Sequence, residues 1–199
     1  SIAVGAQPDA ESALIAHLYA AALRSYGSAA HVQPGPDPLT ELDSGDVRIV
    51  GGFTGQLLQR FAPDSPARSA EQVYRAMVAA LPEGIAAGDY TASAEDKPAL
   101  TVTEATADAW GGRGVSAAVR NCDKLETAQV VGAPRPDAIS TCTLGPAREY
   151  RDSATLFAAL IAGQINAAWT TTAAPNIPTA VLMLSDKTSL IRAENLVPL

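Results

Sequence analysis

Apolar residues along this chain come in two rhythms: short bursts of three to five, and longer stretches in which they recur every three or four positions. The bursts predict strands and the longer stretches predict amphipathic helices. Ile2-Ala3-Val4-Gly5 opens the chain as a short strand. Asp9 then has the place of a helix N-cap, with Glu11 in the first turn where its charge suits the helix dipole. Leu14, Ile15, Leu18, Tyr19, Ala22 and Leu23 repeat at helical spacing up to Gly27, which suits a C′ position. His31-Val32-Gln33 is a second strand, followed by a Pro-rich turn and a short helix around Leu39 to Leu42. A helix carrying Leu57, Leu58 and Phe61 stops at the Pro63 to Pro66 turn. The capping-box pattern at Ser69 to Gln72 starts another, with Val73, Met77 and Leu81 inward, ended by Pro82 and Gly84. Ala99 to Thr103 alternates as a strand, Thr103 to Trp110 and Ser116 to Arg120 read as helices, and Gln129 to Val131 as a strand. Ser153 to Ala162 is a further helix, Ala180 to Leu184 a buried strand, and Asn195 to Pro198 a last extended segment.

Within this alternation one stretch stands out. Leu42 to Thr54 runs a helix end into a Gly turn and a short buried strand (Val47, Ile49, Val50), then opens at Gly51-Gly52 to present Phe53 and Thr54. Leu160 to Thr172 aligns with it without gaps, Gly163 on Gly45. In α/β proteins, the end of a strand feeding a crevice is where small ligands bind. Two copies of that grammar suggest two lobes closing on one solute. Alternation of strands and helices makes the fold α/β.

Composition narrows the partners. At 199 residues the chain can bury a sizeable core, as one domain or two small ones. The net charge of −7, with no basic run interleaved with aromatics, argues against nucleic acid and anionic membrane surfaces. No apolar run reaches the roughly 18 residues of a membrane span. Any export signal is expected to have been removed ahead of Ser1. Cys122 and Cys142, the only thiols, lack CxxC spacing and a nearby His, so no metal site is expected. Two structural thiols or one disulfide remain, and the polar, loop-like surroundings of both favour the disulfide and an oxidising, exported setting. Gly111 to Gly114 lacks the P-loop pattern and reads as a turn. No cofactor is called for.

Two loops hold the remaining candidate chemistry. Gly5 to Asp9 places Gln7 beside a helix N-terminus, ready to hydrogen-bond a polar ligand. Ala87 to Pro98 is a polar loop holding Tyr90, Asp96 and Lys97, entering a strand near the midpoint of the chain as a hinge would. The expected division is lobe 1 over residues 1–98, lobe 2 over 99–180, and a segment 181–199 returning toward lobe 1.

Four stretches, taken in order, resemble the substrate-binding proteins of ABC importers for glycine betaine, choline and related osmoprotectants, of the ProX/OpuC type. Gly5 to Glu11 is similar to that family's first strand and ligand loop. Gly45-Asp46-Val47-Arg48-Ile49 followed by Gly51-Gly52-Phe53-Thr54-Gly55 resembles its G-[ED]-I-D … E-Y-T-G-T motif. Gly163-Gln164-Ile165-Asn166 with Thr170 to Pro178 resembles its second-lobe G-x-V-D … T-D-x-x-I stretch, and Val181 to Lys187 its L-x-D-D-K segment. The resemblance implies a two-lobed periplasmic-binding-protein-like (type II) fold with a hinge and the ligand trapped between lobes. It also implies an extracytoplasmic setting, a membrane permease as partner, and an anchor, expected to be lipid, on a segment outside this chain. The family usually carries further C-terminal helices, so either this member is short or segments are absent from the chain.

The departures from the family's pattern bear on the solute. Its members cage a trimethylammonium group with aromatic rings, because cation–π attraction recognises a charge that cannot donate hydrogen bonds. Here Phe53 replaces the tyrosine of E-Y-T-G-T, Gly52 replaces its acid, and the loop that often adds a ring reads Ala94-Glu95-Asp96-Lys97-Pro98. Tyr90, Tyr150 and Trp169 are the remaining rings to consider. The pocket therefore suits a small polar or zwitterionic solute. The expected contacts are Gln7, Phe53, Thr54, Asp96, Lys97, Thr170, Thr171 and Thr172: Phe53 as a wall, Gln7 and the threonines as hydrogen-bonding groups, and Asp96 with Lys97 reading ligand charge. A monomeric, non-catalytic receptor is the leading reading. An exported sensor or scaffold with altered or lost binding is the alternative. A small hydrolase stands last, since no GxSxG or HExxH occurs and neither His17 nor His31 has an evident nucleophile partner.

Overall fold

The computed structural model describes all of residues 1–199. In chain order the elements are β1 (Ile2–Ala6), α1 (Ala10–Ser25), β2 (Ala30–Pro34), α2 (Pro38–Ser44), β3 (Ile49–Phe53), α3 (Thr54–Phe61), α4 (Ala70–Ala80), β4 (Thr91–Glu95), β5 (Pro98–Thr103), α5 (Glu104–Trp110), α6 (Val115–Arg120), β6 (Thr127–Val130), β7 (Ala138–Ile139), β8 (Cys142–Thr143), β9 (Arg148–Tyr150), α7 (Ser153–Ile161), β10 (Ala167–Thr171), β11 (Val181–Met183) and β12 (Asn195–Pro198). No helix is long and apolar enough to cross a membrane.

The chain forms two compact units. The first comprises 1–95 with 194–199, the second 96–193. Unit 1 holds a five-stranded sheet in the order β2-β1-β3-β12-β4, in which β1 pairs in parallel with β2 and β3, and β12 runs antiparallel to β3 and β4. Unit 2 repeats the plan. Its order β9-β6-β10-β5-β11 has β6 parallel to β9 and β10, and β5 antiparallel to β10 and β11. Strands drawn from both ends of the chain thus finish unit 1, with Asn195–Pro198 crossing back to lie beside β3.

Each sheet buries helices by alternation of side chains. In unit 1, Val4 and Ala6 pack with Ala16 and Ala20 of α1, while Ala3, Val47 and Val50 pack with Leu39 and Leu42 of α2. In unit 2, Ala168 joins Leu156, Phe157 and Leu160 of α7, and its neighbours Ala167 and Trp169 join Leu100, Val102 and Trp110 on the other face. Cys122 and Cys142 form a disulfide, Cα–Cα 5.6 Å, tying the segment after α6 to the β7–β8 ribbon. Closing a 20-residue loop contributes about 3 kcal/mol in the chain-entropy view.

Four local expectations change. In α1 the inward face is Ala16 and Ala20 with Tyr19 and Leu23, while Leu14 and Leu18 are exposed. The helix sits so near the sheet that a Cβ on Gly51 would lie 2.5 Å from Ile15 Cγ2 and 2.6 Å from Tyr19 Cε2, and small residues permit that approach. Gly51 and Gly52 lie inside β3 rather than after it. The polar loop 87–98 contains the strand β4, whose small, mostly exposed residues Thr-Ala-Ser-Ala-Glu carry no apolar rhythm. Finally, Val181–Met183 pairs with β5 in unit 2 and does not begin the return, which β12 makes.

Candidate functional site

The two copies of the strand-end grammar match bond by bond. Gly45 (φ 86°) and Gly163 (φ 77°) both take the left-handed conformation that glycine tolerates. Gly45 N–H donates to Leu42 O and Gly163 N–H to Leu160 O, each at 3.1 Å. Asp46 and Gln164, the next residues, donate to Glu41 O and Ala159 O. Arg48 N–H reaches Ala3 O ahead of β1's pairing with β3, and Asn166 N–H reaches Glu126 O ahead of β6's pairing with β10. Four residues past each glycine a five-residue strand begins.

At the strand ends the correspondence extends to the antiparallel partner. Phe53 pairs with Leu196 and Thr171 with Pro98, both eight positions after the glycine (53 − 45 and 171 − 163). One residue on, Thr54 Oγ1 accepts from Asn195 N–H at 3.1 Å, and Thr172 Oγ1 accepts from Lys97 N–H at 3.0 Å. Two residues ahead of Leu196 stands Glu194; two ahead of Pro98 stands Asp96. These acids occupy equivalent places, each the first residue after the chain passes from one unit to the other.

Their surroundings differ. In unit 1, β3 leads straight into α3 with Phe53 as N-cap. Buried Glu194 puts Oε1 2.7 Å from Gln56 N–H, so a carboxylate of the chain itself fills the positive end of that helix. In unit 2, β10 leads into an irregular segment, and Asp96 Oδ1 is buried without a hydrogen-bond partner.

Each expected site residue has a definite place. Gln7 is exposed just past the end of β1. Phe53 is half-buried at the end of β3. Thr54 is fully buried and engaged by Asn195, and Thr172 is engaged by Lys97 through two bonds. The ammonium of Lys97 lies 2.6 Å from Asp186 Oδ2, both side chains nearly fully buried, and Asp186 also accepts from Leu190 and Ile191 N–H. Lys97 thus has its counter-charge inside unit 2, in an ion pair the sequence reading did not expect. Asp186, expected only in a turn, is the buried hub that sequence reasoning missed, along with Glu194 and Asn195. Aligning the two crossing segments, Glu95-Asp96-Lys97-Pro98 with Ala193-Glu194-Asn195-Leu196, would have exposed the last two.

Thr170 and Thr171 line a cavity of about 190 Å³, together with Val130, Ser153 and Phe157. It lies where β6 and β10 end and α7 begins, the side of a parallel sheet where ligands bind. Asp152 caps α7 by accepting from Thr155 N–H, which holds its carboxyl below the usual range. A larger cavity of about 360 Å³ lies beside the disulfide, lined by Thr127, Arg148 and Ile165. It sits where those strands begin, the wrong end for this architecture, and none of the expected residues lines it. Of the rings considered for a cage, Tyr90 stacks on Tyr74 at 5.0 Å, Tyr150 packs against the α7 cluster, and Trp169 is buried in the opposite core.

This topology, two sheets of order 2-1-3-n-4 with the last strand supplied from across the chain, is that of type II periplasmic-binding-protein-like folds. Solved structures agree. A glycine betaine/carnitine/choline ABC transporter structure superimposes with a TM-score of 0.74 at 15% identity, over 100% of this chain and 79% of that one. Apo YehZ from Escherichia coli gives 0.69 at 21%, over 99% and 79%. A polar amino acid uptake substrate-binding protein from Streptococcus thermophilus gives 0.52 at 12%, over 99% and 72%. No curated protein matches the chain. The family model for the substrate-binding domain of ABC-type glycine betaine transport systems matches residues 1–133, and the chain belongs to that family. The family is one of solute-binding proteins rather than enzymes, works outside the cytoplasm, and serves a membrane permease.

Proposed function

We propose that this chain is the receptor of an ABC importer for a small polar or zwitterionic solute of the osmoprotectant kind, held at the cell surface by a lipid anchor on a segment outside the chain. The observation that carries the reading is the duplicated strand end, each copy finishing its parallel strand beside a crossing segment. The residues left to meet a solute are Gln7, Phe53, Asp96, Thr170 and Thr171, because Thr54, Lys97 and Thr172 are bonded within their own units. Phe53 supplies an apolar wall, the threonines and Gln7 supply hydrogen bonds, and Asp96 supplies charge.

A thermal-shift screen with glycine betaine, choline, carnitine, proline and sugars tests this reading. Stabilisation by a solute, through preferential binding to the folded state, is the expected result. No response to any of them would favour a sensor or scaffold that has lost its ligand, and hydrolysis of a generic ester would sink the non-catalytic reading. Phe53→Ala is expected to weaken binding; unchanged affinity would show the wall to be elsewhere.

A further inference from the structure

We infer that the cavity of about 360 Å³ beside the disulfide is a second ligand site, one that takes a free α-amino acid with an aliphatic side chain. The site belongs to unit 2 alone and is independent of the receptor reading above, whose solute meets other residues.

Two cross-linked segments enclose the space. Residues 122–126 lead into β6 and residues 142–146 lead towards β9, and the Cys122–Cys142 disulfide joins their far ends and so fixes their spacing. Small ligands ordinarily meet the other end of a parallel sheet. Here the tied segments, and not the strand ends, form the walls. The volume falls within the ~300–1,000 Å³ of small-molecule sites.

The lining supplies an apolar floor and two opposite charges. Leu125, Leu144 and Ile165 form the floor, continuous with the cores of unit 2. No aromatic ring lines the cavity, so it lacks the faces that hold a fully methylated cation. Arg148 opens β9 and pairs with Ala128 of β6, and Glu126 stands two residues ahead of that partner. Two long side chains so placed reach a single small molecule. Both are exposed, both line the cavity, and neither enters an ion pair within the chain. An α-amino acid answers all three features. Its carboxylate matches the two-pronged guanidinium of Arg148, its ammonium donates to the Glu126 carboxylate, and its aliphatic side chain lies on the floor.

Titration calorimetry of the chain with L-leucine tests the assignment, against isocaproate and isoamylamine. These keep the carbon chain of leucine but lack its ammonium and its carboxylate respectively. Leucine is expected to bind, and each analogue to bind at least ~10-fold more weakly, since each leaves one charge unanswered. Arg148→Ala and Glu126→Gln, checked for folding by circular dichroism, are each expected to weaken leucine at least ~10-fold. Arg148→Gln serves if the alanine variant misfolds. Phe53→Ala and Thr171→Val, at residues that line other surfaces, are expected to leave leucine binding unchanged. No binding of leucine overturns the inference, and so does an analogue that binds as tightly as leucine. Full leucine affinity in a folded Arg148 or Glu126 variant also overturns it. Loss of leucine binding in folded Phe53→Ala or Thr171→Val assigns leucine to the strand ends and overturns it as well.

Discussion

Glu194 and Asp96 hold the same place in their respective sheets, two residues ahead of the partner of the eighth position after a left-handed glycine, yet one is consumed by the fold and the other is not. In unit 1 the strand runs directly into α3, and the new helix brings a row of unsatisfied N–H groups that a carboxylate can meet. In unit 2 the strand ends in irregular chain, and the acid keeps an unbonded oxygen. Helix or irregular chain after the strand decides whether the acid finds a donor in its own unit. The difference teaches that a duplicated scaffold need not duplicate its chemistry.

The residue after each acid shows the largest asymmetry. Lys97 enters a buried ion pair with Asp186, whereas its counterpart Asn195 uses neutral amide bonds of 3.4 Å to the carbonyls of Thr91 and Ala92. Removing one member of a buried pair leaves the other charge uncompensated, so Lys97→Met is expected to cost about 3–5 kcal/mol in urea unfolding. Asn195→Ala is expected to cost about 1 kcal/mol. Equal losses would dissolve the asymmetry.

Next in size is the disulfide, present in unit 2 alone. Reduction, or the paired Cys122→Ser and Cys142→Ser change, is expected to lower stability by about 3 kcal/mol. Unfolding monitored by probes in each unit is expected to show the loss concentrated in residues 96–193.

The paired threonines come third. Thr54 is fully buried, so Thr54→Val strands Asn195 N–H and is expected to cost about 1–3 kcal/mol. Thr172 makes the equivalent bond at an exposed position, where water can replace it, and Thr172→Val is expected to change stability by less than about 0.5 kcal/mol.

The smallest effect belongs to acid pH in unit 1. The Arg60 guanidinium, with the Thr40 hydroxyl, holds the Asp37 carboxyl at about 2, below its ordinary 3.8. A carboxyl depressed in the folded state contributes stability above its unfolded value and loses that contribution as pH falls through the folded one. Wild type is therefore expected to lose more stability than Asp37→Asn on acidification from about pH 4 to about pH 2. Parallel acid titrations of the two proteins check this.

Much of the fold is legible in the sequence because helix caps and glycine turns act locally. Asp9, Ser69 and Thr103 cap the helices their positions announce, and Gly45 and Gly163 turn as their spacing requires. The repeat is legible for the same reason. Less is visible where neighbours distant in sequence decide. β4 carries no apolar rhythm because it lies at the edge of its sheet beside β12. The inward face of α1 departs from its leucine spacing: Ala16 and Ala20 pack with Val4 and Ala6, while Ile15 and Tyr19 lie over the bare Gly51. Phe53 ends β3 as its spacing suggests, Gln7 follows β1 in its loop, and Asp96 stands between β4 and β5. Thr54 is bonded to Asn195, Thr172 to Lys97, and Lys97 to Asp186, all far apart in the chain; the repeat points to Asn195, but no local pattern reveals Asp186.

The central claim is that one acid of the pair is bonded by its own unit and the other keeps an unbonded oxygen. Melting temperatures of Glu194→Gln and Asp96→Asn, each compared with wild type, test it most directly. Glu194→Gln is predicted to melt below wild type, having weakened the bond to Gln56 N–H. Asp96→Asn is predicted to melt at or above wild type, having lost an unmet carboxylate oxygen. An Asp96→Asn protein that melts as far below wild type as Glu194→Gln would contradict the claim.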